Sequence, residues 1–240
     1  MVIAYDGSSF QGFQKQKNAR TVEQSITDSL SIIHKKPVKI TASGRTDRGV
    51  HALYQVCHFD SDLSITPNGL KRAINARLPK DIRVLELHEV SDHFHARFSA
   101  TKKTYKYVIT TEYNLFERNK ETYIHYPLDV GLMKEAINKF IGTHDFKGFS
   151  AYVKKKPTVR EIYEAKLETK DHYIIITFTG NGFLQYMVRR MIGVLIEIGR
   201  GKEDISIIDT IFTEKDNNIC GKTASPEGLY LQYVYYEGDL

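Results

Sequence analysis

The densest concentration of chemically able side chains is the run Ser43-Gly44-Arg45-Thr46-Asp47-Arg48-Gly49-Val50-His51-Ala52. One carboxylate, Asp47, stands between two guanidinium groups, Arg45 and Arg48. Nearby positive charge keeps a carboxyl group ionised, the state in which it serves as nucleophile or base. Gly44 and Gly49 permit backbone geometry that a β-carbon resists, so the run reads as a tight loop. The alternative is a loop aspartate that caps a turn and pairs with a neighbouring arginine, which is the commoner arrangement for an arbitrary aspartate. The flanking arginines also disfavour a divalent cation, because metal-dependent hydrolysis gathers several carboxylates around its ion.

The elements around this loop follow from periodicity. In the first half, a short strand at Val2–Tyr5 precedes a helix opened by Thr21, with Gln24 at capping-box spacing and Val22, Ile26, Leu30 and Ile33 along one face. Strands at 38–43 and 54–59 flank the loop. A second helix has Thr66 as its cap, Pro67 in its first turn and Leu70 and Ile74 inward, and it stops before Pro79. A strand at about 83–90 ends this half. The second half repeats the order. A strand at 104–111 precedes a helix capped by Asp129 and ended by Gly142, and a hairpin of 159–168 and 172–179 turns at Lys170-Asp171. A helix over 183–199 carries Met187, Met191, Val194, Leu195 and Ile198, a short helix is expected near 205–212, and a strand at 229–236 closes the chain. Each half therefore has the β-α-β-β-α-β order of a ferredoxin-like unit. The expected fold class is α+β, two such units with joined antiparallel sheets, divided into 1–100 and 101–240.

Composition sets the setting. The chain has 34 Lys and Arg against 29 Asp and Glu, a net charge of +5, and a pI near 9.0. The excess is small, but basic residues cluster at Lys35-Lys36, Lys102-Lys103 with Lys106, Lys154-Lys155-Lys156 and Arg189-Arg190, among 15 Tyr and 12 Phe. Any one cluster is an ordinary solvated face; together they tilt towards a polyanionic partner. Two cysteines, Cys57 and Cys220, are too few for a disulfide framework or a Cys-rich metal site and read as buried free thiols. No apolar run is long enough to span a membrane, and the first residues lack the regions of a signal peptide. A reducing cytoplasm is the expected location.

The run Gly44-Arg45-Thr46-Asp47-Arg48-Gly49-Val50-His51-Ala52 resembles the signature loop of TruA-type pseudouridine synthases, apart from its variable fifth position, Arg48. Family-like segments accompany it in order. They are Tyr5-Asp6-Gly7 with Gly12-Phe13-Gln14, Asn75-Ala76-Arg77-Leu78-Pro79, Phe94-His95-Ala96-Arg97-Phe98-Ser99-Ala100 and Lys103-Thr104-Tyr105-Lys106-Tyr107. Gly142-Thr143-His144-Asp145-Phe146, Gly180-Asn181-Gly182-Phe183-Leu184 with Met187-Val188-Arg189, and Gly228-Leu229-Tyr230-Leu231 follow. An ordered set spanning nearly the whole chain is more specific than any single motif.

The resemblance implies isomerisation of uridine to pseudouridine in folded tRNA, on the 3′ side of the anticodon stem-loop, with no cofactor and no metal, by a homodimer whose subunits share one tRNA. It makes Asp47 the essential carboxylate, whether that group attacks the sugar, adds to the base or removes a sugar proton. Tyr105 then packs against the target base and accepts the C5 proton, and Arg189 pairs with Asp47 and orients it. Arg45 and Arg48 in the loop, with Lys102, Lys103, Lys106 and the 154–156 loop, are the expected RNA contacts, since the target nucleotide must be turned out of its stack.

The residues themselves leave alternatives. Tyr105 and Tyr107 alternate along a strand and could both be core aromatics, or Tyr107 could partly substitute for Tyr105. Arg189 could be a generic surface residue, although it shares a stripe with Gly193, whose bare backbone would let a loop approach. Arg45 could make a purely structural ion pair. His51, His95 and His144 read first as packed or hydrogen-bonded residues. Departures from the family pattern are the early Tyr5-Asp6-Gly7, Phe13 where Trp is frequent, Arg48 at an often small position, and Ser225 where a second Pro is common. Two rivals remain: a non-catalytic RNA-binding module and a metal-dependent phosphodiesterase.

Overall fold

The computed structural model describes residues 1–151 and 157–238. They group into two compact units, one of Met1–Lys102 with the residues from Tyr230 onward, the other of Lys103–Leu229. The break thus falls two residues beyond the expected one, and the last strand, assigned from sequence order to the second half, groups with the first from Tyr230.

The first unit contains β1 (Val2–Tyr5), α1 (Val22–His34), β2 (Thr41–Ala42), β3 (His51–His58), α2 (Pro67–Asn75) and β4 (Ile82–Glu86). β1 lies between β4 and β3, antiparallel to both. The other edge of β3 is shared. β2 pairs antiparallel with His58 and Cys57 at one end. The closing strand β10 (Leu229–Tyr236) runs parallel at the other, placing Tyr230 opposite His51 and Leu231 opposite Ala52. Order β4-β1-β3-β2 with two crossover helices is the expected β-α-β-β-α-β unit. Val22, Ile26 and Leu30 of α1, Leu70 and Ile74 of α2, and Ile3, Val56, Ile82 and Val84 of the sheet are all buried.

Local chemistry explains the helix ends. Thr21 Oγ1 accepts the Gln24 amide N–H at 3.3 Å, but the Gln24 side chain donates to Asp28, so only half of the capping box forms. Thr66 Oγ1 accepts from Gly69 at 3.2 Å with Pro67 next in line, and α2 is the expected helix. Its last residue, Asn75, both donates to the Val84 carbonyl at 2.9 Å and accepts the Val84 N–H at 2.8 Å, extending the β4 ladder with a side-chain amide.

The second unit holds most of β5 (Ala100–Thr110), then β6 (Thr122–Tyr123), α3 (Val130–Ile137), β7 (Gly142–Asp145), β8 (Val159–Lys170), β9 (Tyr173–Gly180), α4 (Met187–Gly199) and α5 (Ile207–Glu214). β5, β9, β8 and β7 are neighbours in that order, each pair antiparallel, and β6 runs parallel to the end of β5. The β8–β9 hairpin turns through Asp171, at φ +54°. Asp129 caps α3 by accepting from Leu132 at 3.0 Å. Helix α4 begins at Met187 rather than Phe183, because Tyr186 takes a left-handed φ of +62° that a right-handed helix cannot run through. Its Met187, Met191, Leu195 and Ile198 are buried with Met133, Ala136 and Phe140. The fold class is α+β with mostly antiparallel strands, as expected. Among the described residues no helix is long and apolar enough to cross a membrane.

Candidate active site

In the first unit, the Asp47 loop is fastened from the segment that follows β1. Tyr5 Oη lies 2.8 Å from Thr46 Oγ1, and the Phe13 N–H donates to the Thr46 carbonyl at 3.0 Å. The Gly49 N–H donates to the Phe10 carbonyl at 3.3 Å. Gly12, at φ +99°, lets the backbone pass so close that a β-carbon would sit 3.1 Å from the Thr46 oxygen and 3.3 Å from the Arg48 nitrogen. Gln55, fully buried on β3, anchors the opposite end. It accepts from the Ser43 hydroxyl at 2.6 Å and donates to the Gly44 carbonyl at 2.9 Å. Gly49 carries the turn, at φ +77°, and Val50 N–H closes it onto the Asp47 carbonyl at 3.2 Å.

This framework buries Ser43, Thr46 and Val50 and leaves Asp47 half-buried, with Arg45 and Arg48 exposed on either side. An anion on a rigid loop, open on one face and flanked by two cations, suits a carboxylate that must stay ionised and meet a polyanion. Tyr5, Gly12 and Phe13 were visible only as parts of family-like segments. Gln55 gave no sequence signal, because a glutamine inside a strand pattern is indistinguishable from a surface residue.

In the second unit, Tyr105 sits on β5 opposite Phe178 of β9, 9% exposed, with its ring edge-on to Phe183 at 4.9 Å. Tyr107, two residues on, is fully buried. Its hydroxyl donates to the Ser225 carbonyl at 2.9 Å and lies 2.7 Å from Thr122 Oγ1. Burial pushes that phenol well above the ordinary tyrosine value. Its enclosed hydroxyl is thus spent on contacts within this unit.

Arg189 lies on the α4 stripe that includes Gly193, as expected, and the approaching loop is 222–225. A β-carbon on Gly193 would lie 2.1 Å from the Lys222 carbonyl oxygen. The Ala224 N–H donates to the Arg189 carbonyl at 3.0 Å, and Arg189 Nε donates to the Ala224 carbonyl at 2.7 Å. Its guanidinium carbon stands 5.2 Å from the Tyr186 ring centroid. Arg189 is therefore a held, half-buried residue rather than a loose surface cation. Arg190, its neighbour, donates to the Asn217 carbonyl at 3.0 Å.

Of the basic residues expected to meet RNA, Lys102 rests its ammonium 4.5 Å from the Tyr235 ring centroid. Lys103 and Lys106 are half-buried on β5, and burial lowers the Lys106 pKa. Lys154, Lys155 and Lys156 lie outside the described residues. His95 and His144 are hydrogen-bonded locally, His95 accepting from Arg97 and Phe98 and His144 bonding the Ile141 carbonyl. Both thiols are buried and free. Desolvation raises Cys57 to about 12 and Cys220 to about 11, and Cys220 Sγ donates to the Gly148 carbonyl at 3.1 Å. Among the described residues, no three His, Cys, Asp or Glu side chains are grouped to hold a metal ion.

A family model described as tRNA pseudouridine synthase matches residues 1–99 and 136–237. The tRNA pseudouridine synthase A of Geobacillus sp. (strain WCH70) is 45% identical over 239 residues, covering 98% of this chain and 96% of that protein. That of Listeria monocytogenes is 44% identical over 244 residues, covering 98% of each, and that of Exiguobacterium sp. (strain ATCC BAA-1283 / AT1b) is 43% identical over 238 residues, covering 99% and 97%. These similarities place the protein among the RNA-modifying isomerases. The chain belongs to the tRNA pseudouridine synthase family.

Proposed function

We propose that the protein converts uridine to pseudouridine on the 3′ side of the anticodon stem-loop of tRNA, with Asp47 as the essential carboxylate. The observation that carries this reading is the Asp47 loop. It offers one carboxylate on a loop held by six backbone and side-chain hydrogen bonds within its own unit, between two exposed arginines. Pseudouridine formation breaks the bond from uracil N1 to the ribose, turns the base and rejoins it through C5. The exchange is redox-neutral, so no electron carrier is required. It needs an ionised carboxylate, a base held away from water, and an acceptor for the C5 proton.

Tyr105 supplies the acceptor and the surface against which the base packs. Arg189 is the third member of the catalytic set, and its fixation by Ala224 supports a role that depends on a fixed guanidinium. Arg45, Arg48, Lys102, Lys103 and Lys106 meet the phosphates on either side of the turned-out nucleotide, offsetting an unstacking cost of a few kcal/mol. The enzyme works as a homodimer on one tRNA, in the cytoplasm.

The deciding experiment is incubation of unmodified tRNA with the wild-type protein and with Asp47→Asn, followed by quantification of pseudouridine. Asn is nearly isosteric and uncharged. The variant is expected to melt and bind tRNA like the wild type while forming no product; clear turnover by a pure preparation would remove Asp47 from the mechanism. EDTA-treated enzyme is expected to stay active on a short pre-folded anticodon stem-loop. Activity lost to EDTA and restored by trace zinc or manganese would favour the metal-dependent rival.

A further inference from the structure

His51 ends the Asp47 loop and begins β3. Its side chain is 3% exposed, and its ring stacks on Tyr230 with centroids 4.7 Å apart and planes inclined by 23°. The Gly7 N–H donates to its Nδ1 at 3.0 Å. A ring nitrogen that accepts carries no proton, so a neutral ring here has its hydrogen on Nε2. Asp6 Oδ1 also lies 3.3 Å from Nδ1 and accepts from the Ser8 N–H at 2.9 Å and the Ser8 hydroxyl at 2.5 Å; the closer Gly7 N–H, a donor with a fixed hydrogen, makes Nδ1 the acceptor.

The Gly7 bond fixes a position. A β-carbon on Gly7 would lie 2.0 Å from the Val50 carbonyl oxygen and 3.1 Å from the Gly49 carbonyl carbon, so its bare backbone is pressed against the end of the loop. Val50 in turn donates to the Asp47 carbonyl. Thus a bonded and packed path of His51, Gly7, Val50 and Asp47 runs along one flank, while Phe10, Gly12 and Phe13 hold the other. The ring is anchored on the far side by Tyr230, so it is a fixed post.

We propose that His51 is a positioning residue for Asp47: as the Nε2–H tautomer it seats Gly7 against Val50 and so sets the pose of the loop. The inference rests on Asp47 being the essential carboxylate. A purely packed histidine would contribute volume and stacking alone, and the two roles separate experimentally. His51→Leu keeps comparable bulk without an acceptor. His51→Asn can place Oδ1 where Nδ1 stood, whereas the amide of His51→Gln reaches the Nε2 position.

Single-turnover rate, tRNA affinity and melting temperature are measured for all three, with Asp47→Asn in parallel. The expected result is a rate about tenfold lower or more for His51→Leu, with affinity nearly unchanged, since misplaced catalytic groups cost rate rather than binding. His51→Asn is expected to recover most of that loss and His51→Gln little. A wild-type rate in His51→Leu, an Asn variant no faster than the Gln variant, or a loss that merely follows the folded fraction would overturn the inference. Should the Leu variant fail to fold, the Asn and Gln pair still decides it. An inactive Asp47→Asn beside an unaffected His51→Leu refutes only the His51 role, whereas an active Asp47→Asn refutes the reading of the loop itself.

Discussion

At the scale of residues, the two tyrosines of β5 show how strand periodicity groups side chains that differ in chemistry. Tyr105 and Tyr107 share a face, and the sequence could not say which is functional, because the distinction lies in what each hydroxyl meets. Tyr107 meets Thr122 and the Ser225 carbonyl, contacts with residues far along the chain. Tyr107→Phe is therefore expected to leave a buried acceptor short of a donor, cost about 1–3 kcal/mol and lower the melting temperature by several degrees, with the activity of the folded enzyme near normal. Tyr105→Phe should do the reverse: melt like the wild type, bind tRNA, and turn over about a hundredfold more slowly or worse, as expected when a general base is removed. If Tyr105 only stacks, the Phe variant will be nearly as fast as wild type and Tyr105→Ala alone will fail. Melting curves and single-turnover rates on the three variants separate these outcomes.

At the scale of elements, the helices were most legible where a side chain announces the start. Thr21, Thr66 and Asp129 all cap as their types suggest. Boundaries set by backbone conformation were not legible, since Tyr186 gives no hint of its left-handed turn and α4 starts four residues late. The strand expected over 38–43 shrinks to Thr41–Ala42, because the Val38 N–H donates to Ser31 Oγ at 3.0 Å rather than to a neighbouring strand. The β7 strand is not legible because Gly142 reads as a helix stop; instead α3 ends at Ile137, a 3-10 turn spans Asn138–Phe140, and Gly142 is the first strand residue. The close approach at Gly193 was readable from its place on the Arg189 stripe. Gly193→Ala is expected to push the 222–225 loop off α4, at an overpacking cost of about 1–3 kcal/mol, and to lower activity as Arg189 loses its Ala224 partner. Gly199→Ala should be milder, because its β-carbon would meet the flexible Met133 thioether 2.6 Å away rather than a carbonyl. Thermal melts of the pair, read beside activity, check the contrast.

At the scale of the molecule, an excess of +5 is too small to explain nucleic-acid binding through bulk attraction, so affinity must reside in local clusters. tRNA affinity is expected to fall linearly with salt on logarithmic axes, and Arg45→Ala, which removes an exposed cation beside Asp47, should flatten that slope by about one unit without changing which tRNA is preferred. Titrations at several salt concentrations measure both. An unchanged slope would mean that Arg45 makes an intramolecular pair instead, the reading that sequence alone left open.

The return of the chain to its first unit at Tyr230 has a consequence for synthesis. Residues 1–102 leave the ribosome long before their last strand exists, and all of residues 103–229 must be translated in between. At typical elongation rates that interval is roughly ten seconds. Throughout it, the edge of β3 at His51 and Ala52, immediately after the Asp47 loop, has no Tyr230 and Leu231 to pair with. An open strand edge is a template for wrong partners. The Asp47 loop thus gains this neighbour only after residues 103–229 have been made, so a nascent chain truncated before residue 230 would carry the signature motif without the strand that completes its surroundings.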